Sequence, residues 1–247
     1  MEALRFTKID TALFVYMLPV FLEIWRNELL GIDSSHGGTI EYFWAVLADP
    51  KVFETHLDPG QTQVVSEFLR QAIVEEIESQ RGLSYQGKGS RPYRWMGALT
   101  TYGVMLPDLD LLWRNWWLIG TAGRAVAAIQ YISCLMYPSQ ANPVFAAWTS
   151  KEGRRPPCLW DFEGHIYHRR WLEPNIAFLR KKLTVPNVKI TLAKAVNRLA
   201  GTPECEIAMR VGQDFPRLVE TVRSRCEMLP RLLETVHHSM FWEWPET

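Results

Sequence analysis

Between positions 125 and 150 the chain carries no charged side chain over 26 residues, and this stretch limits the fold more than any other. A segment so poor in charge has to leave water. A membrane span needs about 20 predominantly apolar residues in a row, and the second half of this one is broken by Pro138, Ser139, Gln140, Asn142 and Pro143. The spacing predicts a helix over 122–137, buried on most sides, and then an irregular segment. The other uncharged stretch, 11–22, is 12 residues long and is interrupted by Pro19.

A helix buried on most sides needs other helices around it, and the chain supplies their start and stop signals. Asp58-Pro59 sets an N-cap before a first-turn proline, and Gln61 completes the capping-box spacing. The helix that follows turns Val64, Val65, Phe68, Leu69, Ala72, Ile73 and Ile77 inward and closes at Gly82. Thr202-Pro203 repeats the start signal after Gly201, and Asp49-Pro50 gives a third. Residues 7–30 read as a helix bent at Pro19, with Leu13, Met17, Val20, Phe21, Ile24 and Trp25 on the inward face. Residues 215–236 read as the last helix, with Leu218, Val222, Cys226, Leu229, Leu233 and Val236 as its seam and a kink near Pro230. The middle is aromatic through Tyr93, Trp95, Tyr102, Trp113, Trp116 and Trp117, with a helix start at Pro107-Asp108.

Strand signals are scarce. The best is 159–168, which reads as a short hairpin turning at Glu163-Gly164 or as a short helix weakened by Gly164. There is no alternation of strands and helices as in a doubly wound sheet. The expected fold is mainly α: a single compact helical domain over 1–247 with about eight to ten helices, room for one short β-hairpin near 159–168, and 139–157 as the place for any subdivision.

Charge excludes some functions. The chain has 27 basic and 27 acidic side chains, so nucleic acid and anionic membranes lose their strongest electrostatic warrant as partners. The balance is uneven: residues 1–150 hold 11 basic and 15 acidic side chains, a net of −4, and residues 151–247 hold 16 and 12, a net of +4. Cys134, Cys158, Cys205 and Cys226 form no CxxC pair, which removes zinc-ribbon and redox spacings and reads as four reduced thiols in a cytosolic protein. The N-terminus lacks the pattern of a signal peptide.

Two glycine motifs fail on context. Gly82-Leu83-Ser84-Tyr85-Gln86-Gly87-Lys88 matches GxxxxGK, but a helix precedes it where a phosphate loop needs a strand, and Gly89 replaces the magnesium-binding hydroxyl. His36-Gly37-Gly38 has the glycines of an oxyanion loop but no GxSxG elbow accompanies it.

The densest chemistry lies at 158–171. On a helix, Asp161, His165 and His168 would share a sector of roughly 60°, and Cys158 beside His165 could act as a nucleophile. The ligand spacings match neither HExxH nor ExxH. This leaves a metal- or Cys/His-dependent hydrolase using Cys158, Asp161, His165 and His168 as the alternative to a non-enzymatic reading. Arg154, Arg155, His168, Arg169, Arg170, Arg180, Lys181 and Lys182 form a broken basic series with Trp160, Tyr167 and Trp171 interleaved, which gives nucleic-acid binding as a third reading.

The leading expectation is a cytosolic protein-binding module: an adaptor, regulator or inhibitor-like accessory protein with no cofactor and no metal. It meets a protein partner through Arg94, Trp95, Trp160, His165, Tyr167, Arg169, Arg170 and Trp171, since Trp and Arg are the residues that anchor interfaces. Nucleic acid is the less favoured partner, no membrane is implied, and the oligomeric state stays open.

Overall fold

The computed structural model describes residues 10–32, 51–83, 91–138, 141–145 and 170–234, with 51 and 91–94 described by their backbone alone. Its architecture follows from one helix, α6, Ala122–Met136, in which Gly123 and every residue from Ala125 to Met136 are buried. That is the helix the charge-free stretch requires. Thr121 caps it by accepting from the Arg124 N–H at 3.2 Å.

Other helices close around α6: α3 (Pro59–Glu78), α4 (Arg91–Met105), α5 (Leu109–Trp117), α8 (Val185–Arg198), α9 (Cys205–Asp214) and α10 (Val219–Glu234). Contact is most extensive with α8. The bundle is completed by α1 (Thr11–Leu29), α2 (Lys51–His56) and α7 (Glu173–Lys182), with 3-10 turns at Pro143–Phe145 and Phe215–Leu218. One connected apolar core runs from Phe14 to Leu233. Among the described residues there is no strand, and the mainly-α expectation holds. The hairpin expected near 159–168 lies outside the described residues.

Local chemistry sets the ends of these helices. At α3 the capping box forms in full: Asp58 accepts from the Gln61 N–H at 2.8 Å, and Gln61 accepts from the Asp58 N–H at 3.0 Å. The helix stops at Glu78, earlier than Gly82. Gln80 donates to the Glu76 carbonyl at 3.1 Å and Arg81 to the Glu78 carbonyl at 2.7 Å, so side chains satisfy the last turn. Gly82 then turns with φ +81. Thr202 does not cap α9: its hydroxyl donates to the Leu199 carbonyl at 2.8 Å, closing α8, and α9 begins at Cys205. The last helix splits, with a 3-10 turn over Phe215–Leu218 before α10, while Val222, Cys226, Leu229 and Leu233 stay buried as the seam predicts.

The inward face of α1 is a correction. Phe14, Leu18, Leu22, Trp25 and Leu29 are buried, whereas Leu13, Met17 and Val20 are exposed. The helix is apolar on nearly every side through its first three turns, so hydrophobic periodicity does not fix its phase. The true face sits about one residue, or ~100°, from the expected one. Asp10 caps the helix by accepting from Ala12 N and Leu13 N at 2.9 and 3.2 Å, which sets its start at Thr11.

Two glycines permit close helix approach. A Cβ on Gly123 would lie 2.2 Å from the Glu78 carbonyl oxygen, and one on Gly103 would lie 2.4 Å from the Trp171 ring. The first seats the start of α6 on the end of α3; the second seats an indole on α4. Cys134 is disulfide-bonded, which corrects the expectation of four reduced thiols, while Cys205 and Cys226 are free. Burial pushes the Cys226 thiol up to about 12. No single helix among the described residues is long and apolar enough to cross a membrane.

Candidate interaction surfaces

The aromatic residues that looked like anchors divide on burial. Trp95 is fully buried, donates from Nε1 to Gln130 Oε1 at 3.2 Å, and meets Trp116 edge-on at 4.8 Å. Trp171 is buried over Gly103, and its backbone N–H donates to the Leu233 carbonyl at 2.9 Å. Both are core residues, and neither can form part of a docking surface. Trp supplies a large apolar payload equally to cores and to interfaces, so frequency alone does not separate the two roles. Arg170 is exposed beside Glu173, 3.8 Å away. The Arg94 side chain and residues Cys158, Trp160, Asp161, His165, Tyr167, His168 and Arg169 lie outside the described residues. So does the pseudo-phosphate loop from Ser84 onward.

The aromatic middle is a structural cluster. Trp113 stacks on Trp117 with centroids 4.6 Å apart, and Trp116 meets Tyr131 edge-on at 5.1 Å. The indole N–H groups of Trp116 and Trp117 are buried without a hydrogen-bond partner among the described residues. Both rings stand nearly perpendicular to Tyr131, with centroids 5.1 and 5.9 Å away. Burial holds the Tyr131 hydroxyl well above its ordinary value, so it stays neutral.

Two buried polar groups clamp helices together. Ser66, Tyr102 and Asp108 close a ring: Tyr102 donates to Asp108 at 2.7 Å, Ser66 donates to Asp108 at 3.1 Å, and the two hydroxyls are 3.3 Å apart. Burial and the Asp108 contact raise the Tyr102 hydroxyl far above its usual value, which keeps it a donor. The ring joins α3, α4 and α5. Asn175 donates to the Gly103 and Leu106 carbonyls at 2.8 and 2.6 Å and accepts from Leu109 N at 3.1 Å, tying α7 to the α4–α5 corner. Among the described residues, no group of three or more His, Cys, Asp or Glu could hold a metal ion.

Two exposed faces stand out among the described residues. On α1, Leu13, Tyr16, Met17 and Val20 are 48%, 81%, 38% and 60% exposed. They follow the i, i+3, i+4, i+7 spacing of one helix ridge, without a charge between them. On α7 and α8, Lys181, Lys182, Lys189 and Lys194 are exposed and form no ion pair among the described residues, whereas Arg180 pairs with Glu173 and Glu234. The basic series points to Lys181 and Lys182 but misses Lys189 and Lys194. The signal that could have found them is the run from Pro174 to Pro203, which contains no Asp or Glu.

No family model, no curated protein and no solved structure matches the chain.

Proposed function

We propose that this protein is a protein-binding module, an adaptor or regulator, that presents the outer face of α1 to a partner. The observation that carries this reading is the exposed stripe Leu13, Tyr16, Met17 and Val20 on a helix already anchored by its opposite face. Large apolar side chains standing together in water favour a covering surface, and Tyr is a residue type that anchors interfaces. The stripe spans about 10 Å of helix. Paired with its own copy, it falls short of the ~800 Å² per partner of a stable interface. A groove on a different protein, which wraps the ridge on both sides, is the better occupant.

The test uses the full chain with the protein that copurifies with it at fixed stoichiometry. The double variant Tyr16→Ser/Val20→Ser should bind that partner at least about tenfold more weakly, with an unchanged thermal midpoint. Unchanged affinity would remove α1 from the interface. A concentration-dependent dimer of the free protein, abolished by the same variant, would assign the stripe to a second copy instead.

A further inference from the structure

A second surface has its own chemistry. Six cations (Arg180, Lys181, Lys182, Lys189, Lys194 and Arg198) lie between Pro174 and Pro203 with no acid among them. Two are engaged: Arg180 by Glu173 and Glu234, and Arg198 by the Gly120 carbonyl at 2.5 Å. The four lysines are left without an ion pair among the described residues. On α8 the cations do not fill the exposed face. At ~100° per residue, Lys189 and Lys194 stand about 140° apart. Between them lie Pro186, Ile190, Ala193 and Asn197, with Ile190 53% exposed. The face is thus a shallow ridge of small and apolar residues with a lysine on each flank. Lys181 and Lys182 sit at its N-terminal end, where Asn187 donates to the Lys182 carbonyl at 3.0 Å.

We infer that this α8 face docks an acidic amphipathic helix of a partner protein. An apolar strip on such a helix lies along Ile190 and Ala193, and acidic residues on its two edges meet Lys189 and Lys194, as flanking charges do across a helix–helix seam. Ala193 and Asn197 leave room for a close approach, and the 14 residues of α8 give about 21 Å of contact length. A nucleic acid fits less well. Base stacking needs exposed rings, and α8 carries no Phe, Tyr or Trp. A lipid surface fits less well too, because Ile190 is the one large apolar side chain offered for insertion. The surface is distinct from the α1 stripe, so either can fail without the other.

The probe is a synthetic helical peptide of about 18 residues with Leu on one face and Glu on both flanks, long enough to cover α8. It is titrated by fluorescence anisotropy against the full chain at about 0.05 M and 0.3 M salt. Binding that weakens with salt, and at least about tenfold further with Lys189→Glu/Lys194→Glu, supports the inference. Ile190→Asp should cost a comparable factor, and a peptide with Gln in place of Glu should bind at least about tenfold more weakly. If the charge-reversed chain loses its helical circular dichroism, Lys189→Gln/Lys194→Gln replaces it with the same expected direction. Equal binding by wild type and variant would overturn the inference. So would tighter binding of oligothymidylate or of phosphatidylserine vesicles than of the peptide.

Discussion

α1 and α6 are the two most apolar helices of the described chain, and their fates are opposite. Six other helices close around α6, so its apolar character is consumed on every side. α1 packs through Phe14, Leu18, Leu22, Trp25 and Leu29 and leaves a second apolar face in water. Composition is nearly blind to this difference, since burial depends on how many neighbours the topology delivers. α6 sits mid-chain, with helices from both halves available to cover it. α1 lies at the edge, held by α3 through the Arg26–Glu75 pair at 2.8 Å and by the Trp25–Phe68 ring contact. Apolar surface that the fold consumes stabilises it; apolar surface left over is available for binding.

The contrast breaks most sharply at α6. Ile129 is fully buried at its middle, and Ile129→Ala should cost about 2–5 kcal/mol in a urea titration. A loss below about 1 kcal/mol would mean that α6 is not closed on all sides. Next in size is Gly123→Ala, which pushes a methyl against the Glu78 backbone and should cost about 1–3 kcal/mol. A neutral result there would separate the ends of α3 and α6.

The same corner carries a pH-dependent contact. Glu204, at the start of α9, accepts from the Gly82 N–H at 2.8 Å. Partial burial raises its carboxyl, but the Gly82 hydrogen bond and the Arg81 charge act the other way, and it is held below the usual carboxylate range. A depressed folded-state value stabilises the fold above the unfolded pKa, and that gain is lost as pH falls through the folded value. Glu204→Gln should therefore lower the thermal midpoint slightly at pH 7, with the gap to wild type closing on acidification through the carboxylate range. A gap that widens toward acid would reverse the assigned sign. The smallest effect belongs to α1: Val20→Ala should stay within about 0.5 kcal/mol of wild type, as for a surface position. A larger loss would place Val20 in the core and restore the inward face read from the sequence.

What could be read from the sequence alone follows the same division. The buried α6 was legible because 26 uncharged residues leave few alternatives. The Asp58–Gln61 box was legible because capping is local, and the α10 seam because its polar face is strongly charged. The phase of α1 was not legible, since its first three turns are apolar all round. Trp95 and Trp171 were misread as anchors because what buries them lies far along the chain: Gln130 for one, Gly103 for the other. The α8 lysines were not legible because Lys189 and Lys194 are isolated along a helix, and only the absence of acids around them marks the face.

The central claim is that the outer face of α1 meets another protein. It is tested most directly by placing a photoreactive benzoylphenylalanine at Tyr16, with a second chain carrying it at Phe14 as the buried control. Illumination in the native source should give a discrete adduct between Tyr16 and one other protein, with Phe14 giving crosslinks within the chain alone. Crosslinks confined to the chain at both positions would contradict the claim.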